Sequence, residues 1–296
     1  MKNVGIVGLG DMGLAMAKNI IAGGFPLTGF DLREERRSLL ETAGGKPASS
    51  PAEVGRSCDV VFVMVLNGQQ VETVVCGEQG LLTTLQPGAT IVVSATIAPS
   101  EMRRIGRAIV EKGVEVIDTP VSGGQAGAAA GSLTMMAAAR SGVLAGHRDV
   151  LETVGGKIFH VSEEIGMGQT VKASLQALIG STFAATFESL VLGAKAGVSG
   201  KVLYEVFTSS GVRSPLLEGC AKLIMDRAFK GTGSHIGTMY KDLGITMGMA
   251  RDNGVAMFTT SAAYELFQSG ISLFPDEDNW SIVKLLEQIA GKEVTW

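Results

Sequence analysis

Short apolar runs rich in Val and Ile recur along the first half of the chain, each closed by a turn or a polar residue. They are NVGIVG (3–8), PLTGFD (26–31), CDVVFVMVL (58–66), ATIVVSAT (89–96) and VEVIDTP (114–120). Runs of this kind, bounded by turn residues, read as strands. Between them lie segments with helical spacing of apolar residues, at 12–24, 33–45 and 99–113. Strands alternating with such helices predict an α/β domain built on a parallel sheet. SLTMMAAA (132–139) and KIFHV (157–161) supply two more strands that finish the sheet. The stretch GGQAGAAAG (123–131) reads as a small-residue loop.

The pattern changes near residue 165. From Gln169 to Gly197 it is one long helix rich in Ala and Leu, with the small residues Ala173, Gly180 and Ala184 along it. The segments at 202–210, 214–229, 238–254, 258–270 and 279–291 also read as helices, and no strand signal returns. The expectation is an α/β N-terminal domain over 1–163, joined by a long helix to an all-α C-terminal domain over 164–296.

At 296 residues, 46% hydrophobic and 18% charged, the chain is long enough and apolar enough for two cores. The net charge of −4, with no Lys/Arg block, argues against nucleic acid as a partner. Cys58, Cys76 and Cys220 are far apart and odd in number, which points away from a disulfide framework and towards a reducing cytoplasm. His147, His160 and His235 share no ligand spacing with them, so no metal site is expected. No basic region followed by a long apolar segment opens the chain, and Gln176 and Glu188 interrupt the apolar stretch after Lys172. Neither a signal peptide nor a membrane span is expected.

Four stretches carry candidate chemistry. Gly8-Leu9-Gly10-Asp11-Met12-Gly13 satisfies G-x-G-x-x-G, between a strand-like and a helix-like segment. In that context the first glycine permits a tight turn, the second admits a pyrophosphate and the third lets helix pack on strand. Asp31 ends the second strand about 20 residues on, where an acid accepts ribose hydroxyls. This makes the N-terminal domain Rossmann-type, with NAD favoured over NADP; Arg33, two residues later, leaves some use of NADP open.

In Asp118-Thr119-Pro120-Val121-Ser122-Gly123-Gly124, a strand ends in a proline turn and then presents a hydroxyl and two bare backbone amides, a group suited to a small carboxylate. An ordinary strand-to-loop turn fits the same spacing. Gly166-Met167-Gly168-Gln169-Thr170-Val171-Lys172 opens the long helix with two glycines and a lone lysine, with Gln176 at i+4 on the same face. Partial burial would pull that amine from about 10.4 towards neutrality, into the range useful for proton transfer. Spacing alone equally allows a solvated lysine at a helix end. The adjacent pair Lys241-Asp242 reads, on spacing alone, as solvent-facing, and His235 just before it reads as structural.

Taken in this order, the four stretches resemble the β-hydroxyacid dehydrogenase family over essentially the whole chain: GLGDMGLAMAKNI its cofactor signature, DTPVSGG its substrate signature, GMGQTVK its catalytic signature and YKDLGI its C-terminal one. The resemblance implies that Lys172 is catalytic and that Ser122, Gly123 and Gly124 hold the substrate carboxylate, with Gln176 beside them. It implies that Lys241 reaches the cofactor, and that Val65, Leu66 and Thr96 line its nicotinamide half. Two departures stand out: Val93-Ser94-Ala95-Thr96 replaces a frequent Asp-x-Ser-Thr pattern, and Gln176 replaces a frequent Asn. The activity implied is NAD-dependent oxidation of a small hydroxy acid, a four-carbon aldonate such as L-threonate or an acid like 3-hydroxyisobutyrate; the cysteine usage points to a cytoplasmic protein, and the apolar helical domain to a homodimer or homotetramer. The alternatives are a semialdehyde or imine reductase of the same superfamily, or a non-catalytic dinucleotide-binding module.

Overall fold

Every apolar run of the first half forms a strand in the computed structural model, which describes residues 1–296. In chain order the elements are β1 (Val4–Val7), α1 (Asp11–Ala22), β2 (Leu27–Phe30), α2 (Glu34–Thr42), β3 (Lys46–Pro47), α3 (Pro51–Ser57), β4 (Val60–Val63) and α4 (Gly68–Cys76). There follow β5 (Thr90–Val93), α5 (Pro99–Glu111), β6 (Glu115–Asp118), β7 (Val121–Ser122), α6 (Gly124–Ala129), β8 (Leu133–Ala138), α7 (Ser141–Gly146), α8 (Arg148–Leu151) and β9 (Gly155–Ser162). The strand order is β3-β2-β1-β4-β5-β6-β8-β7, with β9 on β8.

From β3 to β6 all pairings are parallel, while β8 runs antiparallel to β6 and β7. The sheet is therefore mixed: β8 and β9 run against the other strands, a direction the sequence did not announce. The 123–131 stretch departs from the expected loop as well. It folds as the short helix α6, for which Ala supplies the propensity, while its small residues leave no apolar periodicity to be seen.

Alternation along the central strands sends side chains to both faces. Val4, Ile6, Val60, Phe62 and Val92 join one core with Met16, Ala17 and Ile20 of α1. Val7, Val61, Val63, Ile91 and Val93 join the other, with Val71 and Val75 of α4 and Met102, Ile105 and Ile109 of α5. A sheet buried on both faces must present its ligand-binding loops at a strand end, and the order reverses between β1 and β4, the switch point where such loops open.

A single helix, α9 (Met167–Lys195), leaves this unit. Two compact units divide at Lys172/Ala173, inside α9, nine residues past the expected boundary at 163. The reason is local: Gly168 and Gln169, in the first turn of α9, bond to Asp118 of the α/β unit. The second unit holds the rest of α9, α10 (Gly200–Ser209), α11 (Pro215–Met225), α12 (Ile236–Asp252), α13 (Phe258–Leu273) and α14 (Val283–Ala290). Its core joins Phe183, Phe187 and Leu190 of α9 to Ile224, Leu243 and Phe267. By length and composition α9 is apolar enough to cross a membrane, yet Phe187 and Leu190 are fully buried in this protein core. Where α9 meets α12, a Cβ on Gly180 would lie 2.7 Å from Leu243 Cδ2, so the missing side chain permits the approach.

Candidate active site

The dinucleotide fingerprint folds as its spacing predicts. Gly8 follows β1 at φ +95°, and a Cβ there would lie 2.3 Å from the carbonyl oxygen of Met64. A Cβ on Gly13 would lie 1.9 Å from the Gly8 carbonyl oxygen, so α1 touches the turn backbone to backbone. Gly10 differs: its φ is −61°, and the nearest atom to an added Cβ is Arg33 Nη2 at 3.9 Å. Space is thus kept in front of Gly10 rather than filled by protein. The helical ladder begins with Leu14 donating to Gly10, so the N–H groups of Asp11, Met12 and Gly13 precede it, and no side chain caps them. An open glycine before uncapped helix N–H groups fits the pyrophosphate of a dinucleotide.

Asp31, immediately after β2, turns back onto that loop. Its Oδ2 accepts from Leu9 N (2.8 Å), and its Oδ1 accepts from Arg33 N (2.9 Å) and Arg33 Nε (3.2 Å). Burial works to raise this carboxyl, but the Arg33 side chain and the Arg33 and Leu9 backbone donors outweigh it and hold it below the usual carboxylate range. Asp31 is therefore anionic beside the fingerprint, with the Arg33 guanidinium covering part of its charge.

Val65 and Leu66 follow β4, with Leu66 N donating to Gln70 Oε1 at 2.9 Å, and Thr96 follows β5. Because β1, β2, β4, β5 and β6 are parallel, Gly8, Asp31, Val65, Leu66, Thr96 and Asp118 all stand at one edge of the sheet. After β6 the chain turns through Thr119 and Pro120 into β7, which ends at Ser122 opposite Thr134 of β8. Ser122 is half-buried; Gly123 and Gly124 are exposed at φ +132° and +61°, values that favour glycine. Ser122, Gly123 and Gly124 are thus consecutive between the end of β7 and the start of α6.

Lys172 is buried, 7% exposed, so it is not the solvated helix-end residue that spacing alone allowed. The start of α9 is fixed by two residues that spacing did not single out for a role. Asp118, fully buried, accepts from Gly166 N (2.9 Å), Gly168 N (3.0 Å) and Gln169 N (3.4 Å) through Oδ2, and from Gln169 Nε2 (2.9 Å) through Oδ1. Burial pushes its carboxyl up to about 6, and the four N–H donors pull the other way, so it is ionised at neutral pH. Gln169 also donates to Ala95 O (3.0 Å) and accepts from Ile97 N (3.1 Å), straddling Thr96.

Within the helical unit, Gln176 and Asp242 are both buried. Gln176 Nε2 donates to Asp242 Oδ2 at 2.6 Å, and Lys241 Nζ lies 2.9 Å from Asp242 Oδ1. The pair expected to face solvent therefore has its acid in the core and one partner on α9. His235 precedes α12, its Nδ1 3.6 Å from the buried Asp278. No signal in the sequence linked Gln176 to Asp242, 66 residues away.

Residues 3–162 match the family model of the NAD-binding domain of 6-phosphogluconate dehydrogenase, and residues 166–286 match that of the NAD-binding region of NADP-dependent 3-hydroxyisobutyrate dehydrogenase. The chain is 35% identical to L-threonate dehydrogenase of Cupriavidus necator, over 97% of each chain. It is 33% identical to 2-(hydroxymethyl)glutarate dehydrogenase of Eubacterium barkeri, covering 99% of this chain and 97% of that one. Among solved structures, 3-hydroxyisobutyrate dehydrogenase from Salmonella typhimurium superposes with a TM-score of 0.88 at 30% identity, covering 96% of this chain and 100% of that one.

Proposed function

From the premise that this chain belongs to the β-hydroxyacid dehydrogenase family, we propose how its residues divide the work and which acid it oxidises. The protein is an NAD-dependent oxidoreductase acting on a small hydroxy acid. The loop Gly8–Gly13 and Asp31 hold the pyrophosphate and the adenine-side ribose, while Val65, Leu66 and Thr96 line the nicotinamide half. NAD supplies the hydride acceptor. Lys172 in its neutral form takes the proton from the substrate hydroxyl during oxidation, and as ammonium returns it during reduction. Ser122 Oγ and the N–H groups of Gly123 and Gly124 orient the carboxylate, with Gln176 one turn beyond Lys172. Lys241 contributes a positive charge towards the cofactor.

The observation that carries this reading is the burial of Lys172 in a helix start tied to the sheet edge that holds the fingerprint. A lysine shielded from water suits proton transfer better than a solvated one. L-threonate is the proposed substrate, supported by the 35% identity to the Cupriavidus enzyme along nearly its full length. Exposed apolar side chains of the helical unit, with Leu178, Leu192 and Phe258 at 66%, 72% and 85%, support self-association of the chain.

The deciding assay is NAD reduction against L-threonate, 3-hydroxyisobutyrate, glycerate and L-serine, with wild type, Lys172→Ala and Lys172→Arg. Activity should be highest with L-threonate. Lys172→Ala should lower kcat by about 10²–10⁴-fold, the usual worth of positioned acid–base catalysis, with NAD affinity retained. Lys172→Arg should not rescue, because a guanidinium stays protonated. A Lys172→Ala enzyme keeping more than about a tenth of wild-type kcat would remove Lys172 from the chemistry.

A further inference from the structure

Helices are ordinarily capped by a residue next to them in sequence. The long helix α9 is capped from 48 to 51 residues away, by the last residue of β6. Asp118 is fully buried and Gln169 is 1% exposed, and their hydrogen bonds pair each donor with an acceptor. The Gln169 amide has only one workable orientation. Rotated by half a turn, its NH₂ would face the Ile97 N–H, and its oxygen would face the Ala95 carbonyl and the Asp118 carboxylate. Beside this network the helix lies directly on the strands: a Cβ on Gly168 would be 2.5 Å from Met136 O and 2.6 Å from Asp118 O. Lys172 follows Gly168 at i+4, on the same face and about 6 Å further along the axis.

We propose that Asp118 and Gln169 are positioning residues for the reaction, fixing the first turns of α9, and with them Lys172, against the ends of β5 and β6. The proposal rests on the reading of Lys172 as the proton-transfer group. A local cap would satisfy the helix N–H groups but leave α9 free to slide and rotate on the sheet. A carboxylate fixed at the end of β6 removes that freedom, and the Gln169 amide ties the same turn to both sides of Thr96. The two residues touch neither substrate nor cofactor in this role; they act through Lys172.

Three variants test it: Asp118→Asn, Gln169→Glu and the two combined. The single changes place NH₂ against NH₂ or carboxylate against carboxylate. In the double variant the new amide oxygen at position 118 keeps the three backbone donors, and its NH₂ meets the new carboxylate at position 169. Ile97 N–H keeps an acceptor there; the Ala95 carbonyl alone loses its donor, so recovery is partial. With L-threonate, or the best hydroxy acid of the panel, each single variant should lower kcat by about 10–100-fold, the scale expected of a misplacement near 1 Å. KM for NAD and for the acid should stay within about threefold, since Ser122 and the fingerprint are untouched, and the double variant should regain at least about tenfold in kcat over the poorer single one. If Asp118→Asn does not fold, Gln169→Glu and the double variant carry the comparison. Singles with wild-type kcat, singles whose loss lies in KM, or a double variant no better than either would each overturn the proposal. Lys172→Ala, run alongside, separates this from failure of the underlying reading: if it stays active, the reading of Lys172 has failed, whatever Asp118 and Gln169 do.

Discussion

Two glycines three residues apart in the same loop should respond in opposite ways to one added methyl group. At Gly13 the new Cβ would meet the Gly8 carbonyl oxygen at 1.9 Å and its carbon at 2.9 Å, whereas real Cβ contacts stay above 3.0 Å. Both atoms are backbone and cannot swing aside, so Gly13→Ala must move α1 off the β1 turn by about 1 Å. Leu14, Met16, Ala17 and Ile20 of α1 are in the core and would move with it. A radial gap of 0.5–1 Å forfeits roughly a quarter to a half of each dispersion contact. Overpacking of this kind costs about 1–3 kcal/mol. For a unit of this size that is a fall of roughly 2–12 °C in Tm. The uncapped N–H groups of Asp11–Gly13 would shift with the helix, so NAD should bind at least about tenfold more weakly, a loss of ~1.4 kcal/mol.

At Gly10 the added Cβ would have 3.9 Å to its nearest neighbour and an ordinary φ of −61°. Gly10→Ala should therefore not lower Tm, because nothing in the fold is strained and the added methyl restricts only the unfolded chain. The methyl would stand in the space kept in front of the helix N-terminus, and NAD affinity should fall by itself. Thermal unfolding with and without NAD, together with calorimetric titration of NAD, reads both variants. Wild-type Tm and NAD affinity in Gly13→Ala would sink the packing argument. Wild-type NAD affinity in Gly10→Ala would sink the assignment of the loop as a pyrophosphate cradle.

Replacing Ser122 by Ala removes one hydrogen bond to a charged group, roughly 1.5–3 kcal/mol, so KM for the hydroxy acid should rise about ten- to a hundredfold with NAD affinity unchanged; a collapse of NAD affinity at constant KM would reassign the residue. The ionised Asp31 should make kcat/KM for NAD exceed that for NADP by at least about tenfold (~1.4 kcal/mol), and Asp31→Asn, which leaves Arg33 without its anion, should narrow the ratio; equal efficiency in wild type would refute the role of Asp31. Folded Asp118 holds its proton up to about 6 against an ordinary 3.8, so the native state binds more protons than the unfolded chain between those values. Its contribution is full below about pH 4 and lost as pH rises through 6, about 3 kcal/mol in all. In urea unfolding the stability of wild type relative to Asp118→Asn should therefore fall from pH 4 to pH 7; a rise would mean that the four donors outweigh burial.

What was legible in the sequence was what repeats locally. The strands β1, β4, β5 and β6 showed as apolar runs because burial on both faces favours Val and Ile, and β2 showed as a short run closed by Asp31. The fingerprint showed because its glycines answer to steric demands within six residues. The helix α6 escaped notice for the opposite reason: Ala and Gly pack closely but leave no apolar rhythm. The short helices α3, α4, α7 and α8 were missed between stronger signals, and the reversal of β8 depends on pairing with β6 and β7, which no run of residues announces.

The candidate site was legible to the same depth and no further. Spacing could place Lys172 near a helix start but could not say whether water reached it, since that depends on what lies over it in three dimensions. Asp118 sat inside the DTPVSGG motif, yet no neighbour in sequence gave it a role, because its partners Gly166, Gly168 and Gln169 lie 48 to 51 residues on. The physical reason for so distant a partner is what the cap must do. A cap drawn from the neighbouring loop would inherit the loop's motion, whereas one drawn from β6 inherits the register of the sheet. The same sheet sets the turn at Gly8 and the loop through Thr96, so a helix anchored to β6 shares one frame with the loops proposed to hold the cofactor. On the reading of Lys172 as the proton-transfer group, that shared frame would hold its amine within the roughly 0.5 Å that a working constellation requires.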